Sequence, residues 1–311
     1  MLEAVLPQAH RGQTMKLKLL VALSVLSLLC GVFVVTAQDE DVRGAFLESR
    51  PKSTNLNAPS RRHRRRPANA NATSAVNTSA GVQVSANANV VGANRSDAKR
   101  MSAAIGLGYT IFMRDASGRG IRVEPTHEFQ TGDRIRLALE PNVDGYLYIF
   151  DSEDGGPPKM IYPDPRLDSG DNWIEAHVPI EVPSSDESEE RLRWFEFYGK
   201  PGGDRIYIIA TREPLPTVPT GDDLVALCGT SKDKCPWQPP AEVWQKIETA
   251  SKAEVKVATT KNFGEAQTER ERVAMTRGLG LDKSIPPPSV IRIHASSREA
   301  ILVTIVDLMH R

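Results

Sequence analysis

Residues 146–150 read Tyr-Leu-Tyr-Ile-Phe, apolar on both faces of any strand they form. Such a strand needs cover on both sides, so the chain must build packed layers around it. The neighbouring sequence says which layers. Residues 107–113 and 121–123 are β-rich and flank a turn cluster at 115–120, as the arms of a hairpin do. Residues 134–140 alternate with period 2 and put Ile135, Leu137 and Leu139 on one face. Residues 159–162 form a short strand stopped by Pro163. Residues 173–175 and 177–180 are weaker strands, and 193–198 and 205–210 are strong ones joined by a Gly/Pro turn. Short strands with no helices between them make an antiparallel sandwich or barrel, because a parallel sheet needs crossover helices.

The pattern changes from 216 to 289. Pro239-Pro240 precedes a helix beginning at Ala241. Residues 265–277 have helical composition but a weak apolar stripe, the mark of an exposed helix. Pro286-Pro287-Pro288 ends it, and 290–293 and 300–308 return to β character. A terminal strand this apolar would pair with the sandwich rather than stay exposed. The expected plan is therefore a β domain over 102–215, a partly helical excursion over 216–289 and strands returning over 290–311.

The N-terminus predicts a compartment. Lys16 and Lys18 precede an apolar run, 19–35, and Val35-Thr36-Ala37 resembles a signal-peptidase site, so 1–37 read as a signal peptide with Met15 as a candidate start. The protein is then periplasmic or extracellular. The alternative keeps 19–35 as an inner-membrane anchor, since the run approaches the roughly 17–25 residues that span a bilayer. Export makes the remaining cysteines disulfide candidates, and Cys228 and Cys235 enclose a turn-rich loop suited to a bridge.

Hydrophobic residues are 40% of the chain. Large apolar residues are scarce in 38–101, rich in Ala, Asn and Ser, which reads as a disordered linker. It carries Arg61, Arg62, Arg64, Arg65 and Arg66, a candidate patch for anionic polymers or headgroups; the plainer reading is a run that keeps a linker solvated. The net charge of zero is a cancellation. Residues 38–101 hold 11 basic against 5 acidic side chains, and 102–215 hold 12 against 21. Nucleic acid is therefore not expected on the folded domain.

No metal-protease, nucleophile-elbow or phosphate-loop motif occurs, and Gly106-x-Gly108 precedes a strand rather than a helix. His127 with Asp133, or His177 with Asp171, pair only on paper. A histidine within reach of a carboxylate and a nucleophile in one cleft would mark an enzyme. Asp151, Glu153 and Asp154 are oxygen ligands for Ca²⁺ if the loops gather them, and otherwise solvated acids. No cofactor is expected.

One set of motifs resembles a known family. Phe129, Gly132-Asp133, Ile135-Arg136-Leu137, Asn142, Asp144-Gly145-Tyr146-Leu147-Tyr148-Ile149-Phe150 and Ile161-Tyr162-Pro163 look like the bacterial domain of unknown function 4384. Phe197, Pro201-Gly202 and Asp204 to Ile209 fit its second half, so the resemblance spans about 105–215. It implies an immunoglobulin-like β-sandwich and a non-catalytic accessory or binding role, in exported or membrane-linked proteins. It brings no catalytic residues. Tyr146 and Tyr148 share a strand face with hydroxyls expected near solvent, either as fold-determining packing or as a binding surface. The leading expectation is a non-catalytic exported module that binds a protein or an anionic envelope partner. The alternatives are a regulatory subunit or enzyme with an unrecognised site, and a structural envelope component.

Overall fold

The computed structural model describes residues 39–55, 104–166, 170–230 and 235–311. The expected signal peptide and the arginine run lie outside these residues. Among the described residues no helix is long and apolar enough to cross a membrane.

The protein is mainly β, with two stacked sheets. The first holds β1 (Gly106–Arg114), β4 (Arg134–Pro141), β8 (Ile180–Val182), β11 (Val255–Thr259) and β12 (Val290–His294) in the order β11-β12-β1-β4-β8. In it β2 (Gly120–Val123) pairs with β1, and β9 (Phe195–Glu196) with β4. The second has the order β3-β13-β10-β5-β6, with β3 (Glu128–Phe129), β5 (Gly145–Glu153), β6 (Lys159–Tyr162), β10 (Gly202–Thr211) and β13 (Ile301–His310). There β7 (Trp173–Ile174) pairs with β5. All pairings are antiparallel except β3 with β13. The expected hairpin β1–β2 is present, with Ile111 opposite Val123.

The alternation of β4 does what the period demands. Ile135, Leu137 and Leu139 fill the space between the sheets with Leu147, Ile149, Ile206 and Ile208. β5 is an inner strand buried on both faces: its odd residues enter that core, while Tyr146, Tyr148 and Phe150 face the other way. That outer face is not open. Helices α2 (Gly221–Thr230) and α3 (Ala241–Ser251) cover it with Leu224, Val243 and Ile247. Tyr146 is 5% exposed and Tyr148 fully buried, with its hydroxyl accepting from the Leu215 amide at 2.9 Å. The expected tyrosine surface is thus a covered layer, because the apolar ring bodies outweigh two hydroxyls.

The outer face of the first sheet is covered as well. Helix α1 (39–48) lays Val42 and Phe46 on Ala258, Ile291 and Ile293. Helix α4 (Glu269–Arg277) buries Ala274 and Met275, starts at a Thr268–Glu271 capping box and ends at Gly278 in the left-handed conformation. Gly108 permits this layer, since a Cβ there would lie 2.3 Å from Pro288 Cγ.

Three expectations are corrected. The linker does not begin at 38, because 39–55 form a helix and a docked extension. Helix 269–277 is half-buried rather than exposed. Residues 216–289 are no excursion, since they supply β11 and the cover of both sheets. The strands expected at 193–198 and 205–210 lie in different sheets: β9 joins β4, with Glu196 opposite Arg134, and β10 pairs with β5.

Candidate functional site

Two places combine chemistry-bearing residues. The first is a cleft of about 880 Å³ on the side of the sandwich where edge strands β6 and β8 of the two sheets approach each other. Among its aliphatic, proline and charged lining stand five aromatic side chains, Tyr162, Trp173, Trp194, Phe195 and Trp237, hence three of the chain's four tryptophans. The tryptophans are held from behind. Trp173 packs edge-on against Tyr146, Trp237 lies 6.4 Å from Phe150, and Arg136 stacks over Trp194 at 3.9 Å. The Cys228–Cys235 disulfide forms part of the wall and joins the end of α2 to the segment carrying Trp237. The lip is charged: Arg191 pairs with Glu189, and Arg166 pairs with Asp164. A rigid aromatic floor with a polar lip suits binding of an extended or planar ligand.

The second place lies under α1, on the outer face of β4. Sheet alternation aims Glu140 away from the inter-sheet core, and it is 2% exposed. Arg50 Nε and Nη2 donate to its two oxygens at 2.8 and 2.6 Å. Arg50 Nη1 also donates to the Asp282 and Ile285 carbonyls. His177 Nδ1 stands 2.7 Å from Glu140 Oε1, and His177 Nε2 stands 2.7 Å from Ser49 Oγ. Burial disfavours the Glu140 anion, but the hydrogen bonds and charges of Arg50 and His177 outweigh it and hold the carboxyl below its ordinary range. The histidine therefore finds Glu140 rather than Asp171. Two further buried ion pairs lie on the outer face of the same sheet: Arg122 on β2 with Glu271 on α4, and Arg136 on β4 with Glu181 on β8. None of Ser49, His177 and Glu140 lines the cleft.

The sequence missed both Ser49 and Glu140. Ser49 stands in what reads as linker, and Glu140 ends an alternating strand on its polar side. The helical start Asp39-Glu40-Asp41 with Val42 and Phe46 one turn apart is the signal that could have found α1.

The other expected residues separate. Asp154 Oδ1 accepts from the Gly203 amide at 2.9 Å, and Glu153 pairs with Lys159 at 3.5 Å. Burial, then the charges of Asp204 and Glu153, push the Asp151 carboxyl up to about 6. Among the described residues no group of three or more His, Cys, Asp or Glu is arranged to hold a metal ion. His127 packs against Phe129.

Residues 128–214 match the family model described as a domain of unknown function (DUF4384). No curated protein and no solved structure matches the chain. The match runs from β3 to just past β10. The sandwich is completed by β1, β2 and β11 to β13, from outside it.

Proposed function

We propose that this chain is an exported accessory module that binds a protein segment of the cell envelope in its cleft. The observation that carries the reading is the concentration of three tryptophans, pinned from behind, between the edges of the two sheets. Rigid aromatic side chains bind at low entropic cost and are the commonest anchors of protein recognition. The arginine run at 61–66 would add an attraction for anionic envelope polymers, sensitive to salt.

The test is a crosslinking pull-down from isolated envelopes with the wild-type chain and with Arg166→Glu/Arg191→Glu, which reverses charge at the lip without touching the core. The expected result is one specific partner, lost or strongly weakened in the double variant. Recovery of no specific partner, or equal recovery by both proteins, would refute the cleft as the binding site.

A further inference from the structure

We propose that Ser49 is a nucleophilic serine that accepts activated acyl or phosphonyl groups, with His177 as its base and Glu140 orienting that base. This reaches beyond the binding role and is independent of the cleft. The three residues come from α1's end, β4 and the β7–β8 connection, and only the fold unites them. The connectivity is that of a nucleophile, a base and an orienting carboxylate: Ser49 Oγ to His177 Nε2 at 2.7 Å, His177 Nδ1 to Glu140 Oε1 at 2.7 Å. Exposure is graded along it. Ser49 is open to solvent, while His177 and Glu140 are 3% and 2% exposed.

The protons can be placed. Glu140, doubly bonded by Arg50, is an anion and accepts from Nδ1–H. A neutral imidazole then carries its lone pair on Nε2, facing Ser49. The hydroxyl has a second acceptor, the Phe46 carbonyl at 2.8 Å, so its single proton is shared between that oxygen and Nε2. The base is held under strain. His177 has φ 57, a region side chains seldom adopt, and the fold fixes it by bonds to Pro141 O and from Leu281 N, both 2.7 Å. The Phe46 ring meets the imidazole edge-on at 5.5 Å and limits its rotation.

In the step, the Ser49 proton passes to Nε2 while Oγ bonds to the carbonyl carbon. The bond to the leaving group then breaks, and that group takes the proton from Nε2. Water attacking the acyl-serine by the same route restores the serine. Turnover is slow, for two reasons. Ser49 follows the C-terminus of α1, where the helix dipole opposes a developing oxyanion. The neighbouring Arg50 amide is already bonded to Leu47 O at 3.1 Å. With that amide withheld from the oxyanion, the rate is lower by about 10²–10³. Substrates are therefore small activated esters and phosphonates approaching from solvent, and the product that accumulates is a modified serine.

The experiment exposes the full chain to a fluorophosphonate probe and, separately, to p-nitrophenyl acetate. The expected result is a single label on Ser49 by peptide mass spectrometry, with a nitrophenolate burst of about one equivalent. Ser49→Ala, which keeps the Arg50–Glu140 pair and hence the docked helix, loses both. His177→Gln, checked for an unchanged melting transition, labels about 100-fold more slowly. Glu140→Gln removes the charge that docks the segment as well as the orienting bond, so it slows labelling and lowers amide protection at residues 42–50 together. Labelling of the wild type no faster than of Ser49→Ala, or a label on any other residue, would overturn the proposal.

Discussion

Arg50→Met would separate the docked N-terminal segment from the rest of the fold. Removing one partner of a buried pair leaves a charge without compensation and costs about 3–5 kcal/mol. Here Glu140 would keep only His177. The alternative open to the chain is to lift α1 and let water reach the carboxylate. Lifting exposes Val42 and Phe46, each worth about 2 kcal/mol of apolar burial, so roughly 4 kcal/mol as an upper estimate. The two costs are comparable, so the segment should release while the sandwich, whose core lies elsewhere, stays folded. Amide hydrogen exchange reads this directly. Protection at residues 42–50 should fall to that of free chain, and protection in β1 and β4 should remain.

Arg50→Met/Glu140→Met removes both charges and should restore docking, so the double variant should protect residues 42–50 better than the single one. Acid should act like the single variant. Glu140 is held below its ordinary range in the folded state, so its stabilisation is present above about pH 4.3, the unfolded value, and is lost as pH falls through the lower folded one. Unchanged protection at 42–50 in Arg50→Met, or a double variant that loses as much as the two singles added together, would refute the reasoning.

Two other changes probe the sandwich. In Asp151, raised to about 6, the folded state binds the proton more tightly than the unfolded chain, so this residue lowers stability as pH climbs from about 4 to 6. Asp151→Asn should gain about 1–2 kcal/mol at pH 7 after allowance for solvent screening, and little at pH 4, by urea denaturation at both values. Gly145→Ala would place a Cβ 2.1 Å from the Thr211 carbonyl oxygen on β10, so β5 and β10 must part locally. A loss of about 3 kcal/mol is expected from chemical denaturation, and a near-neutral result would mean the strands yield without cost.

The β architecture was legible because its signals are local and periodic. Tyr146 to Phe150 needs two covers whatever the rest of the chain does, and the alternation of β4 names its own inner face. Pairing was less legible. Two-residue strands such as β9 have no period, and the strong composition of 193–198 does not say which sheet it joins. The candidate serine was illegible for a different reason. Sequence patterns price Arg50 and Glu140 as solvent-facing, since each alone is ruinous to bury. Only their meeting across 90 positions makes burial tolerable, and no single-residue rule encodes that. The cleft was hidden likewise, as its tryptophans come from β7, the residue before β9 and the α2–α3 connection.

The docked segment also alters what the sandwich needs in order to close. A linker starting at 38 would leave the outer face of the first sheet without its cover. Instead residues 39–55 are part of the fold: Val42 and Phe46 pack on Ala258, Ile291 and Ile293, Arg43 donates to the Thr259 carbonyl at 3.1 Å, and the Thr54 amide donates to Asp282 at 2.9 Å. Two apolar anchors alone hold a ten-residue helix weakly, since such a helix is marginal without tertiary contacts. The buried Arg50–Glu140 pair therefore selects the docked position as much as it stabilises it, because only that position satisfies both charges.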